Sequence, residues 1–251
     1  MKICEFGSPT NRKLLLIHGF QCPWQIWEPY IQHYQNEFLV IVPVLSGHDP
    51  DKTDEFHSFA EDAKAVEDYL IPRYGREIFA VYGMSMGGVL AATLWQNGRL
   101  TFEKVVFDGS PLVSLNGVVK DYMQRFYLDI THKCQKRDTK TLRKATRAIV
   151  PKERLEQLLQ VLDQMTDATI ANSLNSIAEF GLRTDVNLSG AKLYFFHGTA
   201  MNEMLARKSA KQVQRYYPTS VIKCFKGKFH CENALFYPQI MIAELDNVFM
   251  E

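Results

Sequence analysis

Four uninterrupted apolar runs in the first 110 positions, each halted by glycine or proline, limit what this chain can fold into. Leu14-Leu15-Leu16-Ile17 closes at His18-Gly19, and Phe38 to Val42 closes at Pro43. Ile78 to Tyr82 closes at Gly83, and Val105 to Phe107 closes at Asp108-Gly109. A strand that is apolar on both faces needs cover on both faces, which a parallel sheet flanked by helices supplies. Helical patterns lie between the runs. Phe59, Ala63, Val66 and Leu70 share one face of a helix predicted over 58–70, and Ser58 with Glu61 forms a capping box. A second helix is predicted from Met86 to Gln96, stopped by Asn97-Gly98. Strands that alternate with helices imply right-handed βαβ units.

The pattern changes near Pro111. From there to Asp185 no strand signal appears. Tyr122, Phe126 and Ile130 recur at helical spacing. So do Leu155, Leu158, Leu159 and Leu162, after Pro151, which is well placed as a first-turn proline. Lys and Arg gather between Lys133 and Arg147, and in a chain of formal charge +1 they read as a solvated helical face. The first pattern resumes with Leu193 to Phe196, ended by His197-Gly198, and with Val221 to Phe225. A closing helix from Pro238 turns Ile242, Leu245 and Phe249 inward. The expected fold class is therefore α/β, with a mostly parallel sheet. Its core spans residues 1–110 and 186–251, and an all-helical insertion occupies 111–185.

Composition narrows the function. Of 251 residues, 46% are hydrophobic and 23% charged, which excludes a disordered chain or a coiled coil. Lys and Arg total 29 against 28 Asp and Glu, so no surplus cation is available for a phosphate backbone and nucleic acid is not an expected partner. Five widely spaced cysteines without a C-x-x-C pair argue against a structural zinc or dithiol site and point to a reducing cytoplasm. The first residues lack a long apolar leader, and no window approaches the ~18 apolar residues of a membrane span.

Gly83-Met84-Ser85-Met86-Gly87 matches G-x-S-x-G, with Gly88 following. Its context is a buried strand before it and a helix after it. Such a sharp strand-to-helix turn lifts the serine hydroxyl clear of the sheet and leaves the Met86 amide unpaired at a helix N-terminus. With His18-Gly19 after an early strand, the Ser85 turn, the helical insertion from Pro111 and Gly227-Lys228-Phe229-His230 past the last strand, the chain resembles the α/β-hydrolase family over nearly its whole length. Asp108-Gly109-Ser110-Pro111 and the Glu203 to Ala210 stretch are most similar to its small bacterial hydrolases of unassigned substrate.

The resemblance implies a catalytic nucleophile at Ser85 and a general base at His230. His33, His57 and His132 read as surface residues, His48 as a turn residue and His197 as structural. The resemblance implies an oxyanion hole made by the amides of Met86 and Phe20, or Gln21 in place of Phe20, with His18 pinning the loop. The family's usual acid position falls on Met201. Counting back from Lys208-Ser209-Ala210 selects Glu203, given two inserted residues, and Asp108 is the rival acid. Trp24 and Phe126 are candidate substrate contacts. Trp24 and Trp27 also suit wall or core positions, as helical spacing suits Phe126, Tyr127, Phe180 and Leu182 for packing. Cys231, adjacent to His230, reads as packing rather than a thiol nucleophile.

The implied activity is that of a serine hydrolase of carboxylesterase type. It would cleave a small-molecule acyl substrate through an acyl-enzyme under a helical cap, with no metal or cofactor. Serine at 85 excludes the carboxylate nucleophile of dehalogenases and epoxide hydrolases of this fold. No H-E-x-x-H, G-x-G-x-x-G or phosphate-loop motif occurs. Two further readings stay open: a cap-gated binding protein derived from a hydrolase, and a thioesterase or carbon–carbon hydrolase using the same three residues.

Overall fold

The four apolar runs of the first 110 residues and Leu193 to Phe196 become buried strands of one sheet, whereas Val221 to Phe225 becomes an edge strand with no buried residue. The computed structural model describes residues 1–186 and 190–250. Seven strands are present among them: β1 (Lys2–Phe6), β2 (Arg12–Ile17), β3 (Phe38–Val44), β4 (Glu77–Met84), β5 (Thr101–Asp108), β6 (Lys192–Gly198) and β7 (Val221–Phe225). Their order is β1-β3-β2-β4-β5-β6-β7. All neighbours are parallel except β1, which runs antiparallel to β3. β1 carries no continuous apolar run, and all five of its residues are half-buried, as suits an edge strand.

Two strands outrun their predicted stops. β3 continues through Pro43 to Val44. β2 pairs with β3 only as far as Ile41, so no neighbour on that flank needs the N–H that proline lacks. β4 continues through Gly83 to Met84, because the turn proper begins at Ser85.

The alternation of side chains sorts the core into two layers. Leu15, Ile17, Ile41, Val81 and Phe195 face α2 (Phe59–Tyr74), α3 (Met86–Asn97) and α8 (Met204–Tyr216). Leu14, Leu16, Val40, Val42 and Tyr194 face α1 (Glu28–Tyr34) and α10 (Pro238–Met250). A short α9 (Glu232–Phe236) precedes α10. Ser58 caps α2 by accepting the Glu61 N–H at 3.2 Å, and Gly98 ends α3 in the left-handed region at φ 67°.

Between β5 and β6 the described residues form helices only: α4 (Gly117–Gln135), α5 (Thr139–Ala148), α6 (Leu155–Gln164) and α7 (Asp167–Glu179). Asn116, Asp138 and Thr166 cap α4, α5 and α7, each accepting a backbone N–H of the first turn. Pro151 sits before a 3₁₀ turn, Lys152–Arg154, one step ahead of the expected helix start. α4 packs on α7 and α6, and Leu158 and Leu162 are fully buried. No helix among the described residues is long and apolar enough to cross a membrane.

Candidate active site

The carboxyl ends of the parallel strands bring Ser85, Asp108, Glu203 and His230 to one edge. Ser85 follows β4 directly, with φ 53° and ψ −118°, a conformation costly for any residue with a side chain. It is held by packing of backbone on backbone. Its N–H donates to the Asp108 carbonyl at 2.7 Å, and its own carbonyl accepts the Gly88 N–H at 3.0 Å. A Cβ on Gly83 would lie 2.5 Å from the Gly87 carbonyl oxygen, and one on Gly87 would collide with the carbonyl of Ile17 in β2. A Cβ on Gly88 would collide with the Ser110 hydroxyl. The glycines therefore admit α3 against β2, β4 and the β5 loop at a distance that no side chain permits.

His230 lies in the loop after β7. Its Nε2 is 2.9 Å from the Ser85 hydroxyl, and its Nδ1 is 2.5 Å from the Glu203 carboxylate. The carboxylate can only accept, so the proton resides on Nδ1 and leaves Nε2 to accept from Ser85. Glu203 is fully buried, and its second oxygen accepts the Gly198 N–H at 2.6 Å. A 3₁₀ turn spans Met201–Glu203. Three residues per turn point Met201 outward, 89% exposed, and Glu203 inward. The Lys228 carbonyl accepts from the amides of Thr199 and Ala200, which ties the acid loop to the histidine loop.

Asp108, the rival acid, faces elsewhere. Its carboxylate accepts the Tyr82 hydroxyl at 2.8 Å, while its backbone carbonyl serves the Ser85 amide. Burial pushes its carboxyl up to about 7, with the Tyr82 hydrogen bond opposing and the nearby Glu203 adding to the rise. Cys231 holds a left-handed backbone at φ 51° and sets its sulfur 3.5 Å from the Asp108 carbonyl. Burial pushes its thiol well up, so it is not a thiolate.

On the other side of Ser85, two neutral histidines fix the loop after β2. His18 Nδ1 donates to the Gly19 carbonyl at 2.9 Å, and its Nε2 accepts the Leu45 N–H at 3.1 Å. The Gly19 carbonyl and the Phe20 N–H share one planar peptide, so holding the carbonyl turns the Phe20 N–H the opposite way. A Cβ built on Gly19 would lie 3.3 Å from the Ser85 Cβ, which puts this peptide beside the hydroxyl. Among the described residues no hydrogen bond engages the amides of Phe20 or Met86. The Gln21 amide, the alternative, is already spent on His48 Nε2 at 3.1 Å. Burial lowers His18 to about 3, helped by His48, and burial lowers His48 to about 4. Both remain uncharged acceptors.

A cavity of about 590 Å³ opens over Ser85 and His230. Phe126, Tyr127, Leu174 and Ile177 line it from the helices between β5 and β6. Trp24, a sequence candidate for substrate contact, does not line it; its ring lies 6.0 Å from that of Phe6, tilted by 31°, beside the second core layer. Trp27 is fully buried, and Phe180 and Leu182 pack in the first layer. Lys133 and Lys144 border the cavity, and both are solvent-exposed, as a solvated helical face requires. Sequence reasoning also missed Thr131, whose hydroxyl accepts from the Gln21 side chain at 2.5 Å and links the β2 loop to α4. Nothing local to Thr131 signals that contact. Among the described residues no three His, Cys, Asp or Glu side chains gather as metal ligands would.

A model of the alpha/beta hydrolase family matches residues 14–210, and the chain belongs to that family. No curated sequence matches it. Among solved structures, a putative alpha/beta hydrolase family protein from Desulfitobacterium hafniense superposes with a TM-score of 0.79 at 18% identity, covering 98% of this chain and 99% of that one. A carboxylesterase from Nitrososphaera gargenis gives 0.78 at 13% identity, covering 99% and 93%. MenH from S. aureus gives 0.70 at 17% identity, covering 100% and 98%. At these identities the likeness is one of fold.

Proposed function

We propose that the protein is a serine hydrolase of carboxylesterase type, acting on a small acyl substrate. The observation that carries this reading is the continuous contact from the Ser85 hydroxyl through His230 to buried Glu203. His230 takes the serine proton as the hydroxyl attacks the acyl carbonyl, and Glu203 stabilises the imidazolium that results. The oxygen of the tetrahedral intermediate is met by the amides of Met86 and Phe20. The proton then passes to the leaving alcohol. Water deprotonated by the same imidazole attacks the acyl-enzyme and releases the acid.

The helices of 111–185 act as a cap whose apolar side chains shape the acyl pocket, and Phe126 is the substrate contact among the candidates. The cavity's volume suits a small molecule. Glu203 against Nδ1 supports turnover over the alternative reading as a binding protein. Five free cysteines suit residence in the reducing cytoplasm.

A fluorophosphonate probe tests the assignment. It should label wild type at Ser85 and leave Ser85→Ala unlabelled. Equal labelling of both would overturn the nucleophile.

A further inference from the structure

Six of the ten exposed large hydrophobic side chains among the described residues lie on two segments that also contribute lining to this cavity. Val118, Val119, Tyr122 and Phe126 lie on α4; Met201 opens the 3₁₀ turn before α8 and Met204 is the first residue of α8. Val118 at 82%, Tyr122 at 70% and Phe126 at 48% exposure recur every four residues and form one stripe. The Tyr122 and Phe126 rings stack at 6.4 Å. Phe126 also lines the cavity, as do Asn202 and Leu205 beside the two methionines. The stripe thus meets the cavity that holds Ser85 at Phe126. Monomeric soluble proteins rarely leave so concentrated a patch in water without a use for it.

Beside the stripe lies a cationic helix. α5 packs on α4 and carries Lys140, Arg143, Lys144 and Arg147 with no carboxylate. Among the described residues none of these four has an ion-pair partner, whereas Lys133, Arg137 and Arg154 nearby are paired with Asp129, Asp163 and Glu28. Lys144 borders the cavity, so the cationic face meets the apolar rim. The whole chain has a formal charge of only +1, which makes this concentration local.

We infer that the α4–α5 face docks on an anionic lipid surface, with the mouth of the cavity turned toward the bilayer. Aromatic and aliphatic side chains enter the headgroup boundary while lysine and arginine meet lipid phosphates. A second copy of the chain is a poor occupant, because a two-fold contact would set one α5 against another. The inference rests on the proposed function only for its purpose, which is to admit an ester dissolved in lipid.

Cosedimentation of the full chain with vesicles tests it. The protein should bind phosphatidylcholine vesicles that contain phosphatidylglycerol far better than pure phosphatidylcholine, and raised salt should weaken the binding. Lys140→Glu, Arg143→Glu and Arg147→Glu together should reduce affinity for the anionic vesicles by roughly a hundredfold. Val118→Ser with Tyr122→Ser should reduce it by roughly tenfold. None of these five residues lines the cavity, so both variants should hydrolyse water-soluble p-nitrophenyl acetate as wild type does. Single neutralisations such as Arg143→Gln replace the triple variant if it misfolds. Failure to bind anionic vesicles overturns the inference, as does binding that neither variant weakens. So does a wild-type dimer that Tyr122→Ser dissolves, or capture of an acidic protein in the absence of vesicle binding. Vesicle binding without ester hydrolysis would leave the docking standing and remove the hydrolase reading. Hydrolysis without vesicle binding would do the reverse.

Discussion

At the carboxyl edge of the sheet the backbone leaves almost no freedom, whereas the helices between β5 and β6 meet the same cavity with side chains. Three glycines in contact with neighbouring backbone or a buried hydroxyl, together with the amide bond from Ser85 to Asp108, set the elbow. Phe126 and Tyr127, by contrast, reach the cavity from the surface of α4, and Phe126 is nearly half exposed. The difference separates two tasks. The proposed reaction depends on atoms that cannot shift without breaking the fold. In the same proposal, choice of acyl group depends on a surface that tolerates change.

Substitutions at the edge should therefore be far more damaging than those above it. Ser85→Ala should lower kcat for ester hydrolysis by roughly a millionfold, measured with p-nitrophenyl esters. Glu203→Gln should lower it by roughly ten-thousandfold, because Nδ1 loses its anionic partner. Asp108→Asn should stay within about tenfold of wild type, since the Asp108 carboxylate faces Tyr82. If Asp108→Asn were the more damaging of the two, the acid would have to be reassigned. His18→Ala should cost roughly a hundredfold in kcat with little change in KM, as the Gly19–Phe20 peptide loses its anchor. Phe126→Ala, across the divide, should raise KM by only about fivefold and leave kcat unchanged.

The parts of the molecule legible in the sequence are those where local chemistry is decisive. The apolar runs gave the inner strands because full burial on two faces leaves no polar positions. The G-x-S-x-G pattern gave the elbow because only glycine fits its contacts. Other parts depend on what the chain meets after folding. β1 is an edge strand whose half-buried residues carry no such run. Pro43 stays in β3 because its flanking partner has already ended. The 3₁₀ turn that swings Glu203 inward leaves no mark in spacing, so residue pattern alone does not choose between Glu203 and Asp108. Trp24 follows the loop that lines the site yet packs on Phe6, a distinction set by tertiary contact alone.

A smaller effect concerns stability. Asp108 has a folded carboxyl value of about 7, above the ordinary 3.8, so the native state holds its proton more tightly than the unfolded chain. That stabilisation is complete below about pH 4 and is lost as pH rises toward 7. Asp108→Asn has no charge to bury. Its melting temperature should match wild type near pH 4 and exceed it by a few degrees at pH 8, measured by calorimetry. A gap that narrows with rising pH would contradict the burial argument.

The central claim is that Ser85 forms a covalent acyl intermediate with His230 as its proton acceptor. Rapid quenching during turnover of a p-nitrophenyl ester, followed by mass spectrometry of the digested protein, addresses it directly. The account predicts a burst of p-nitrophenol and an acyl adduct on the peptide that contains Ser85. Steady turnover with neither a burst nor an adduct at Ser85, under conditions where deacylation is slowed by cold, would contradict it.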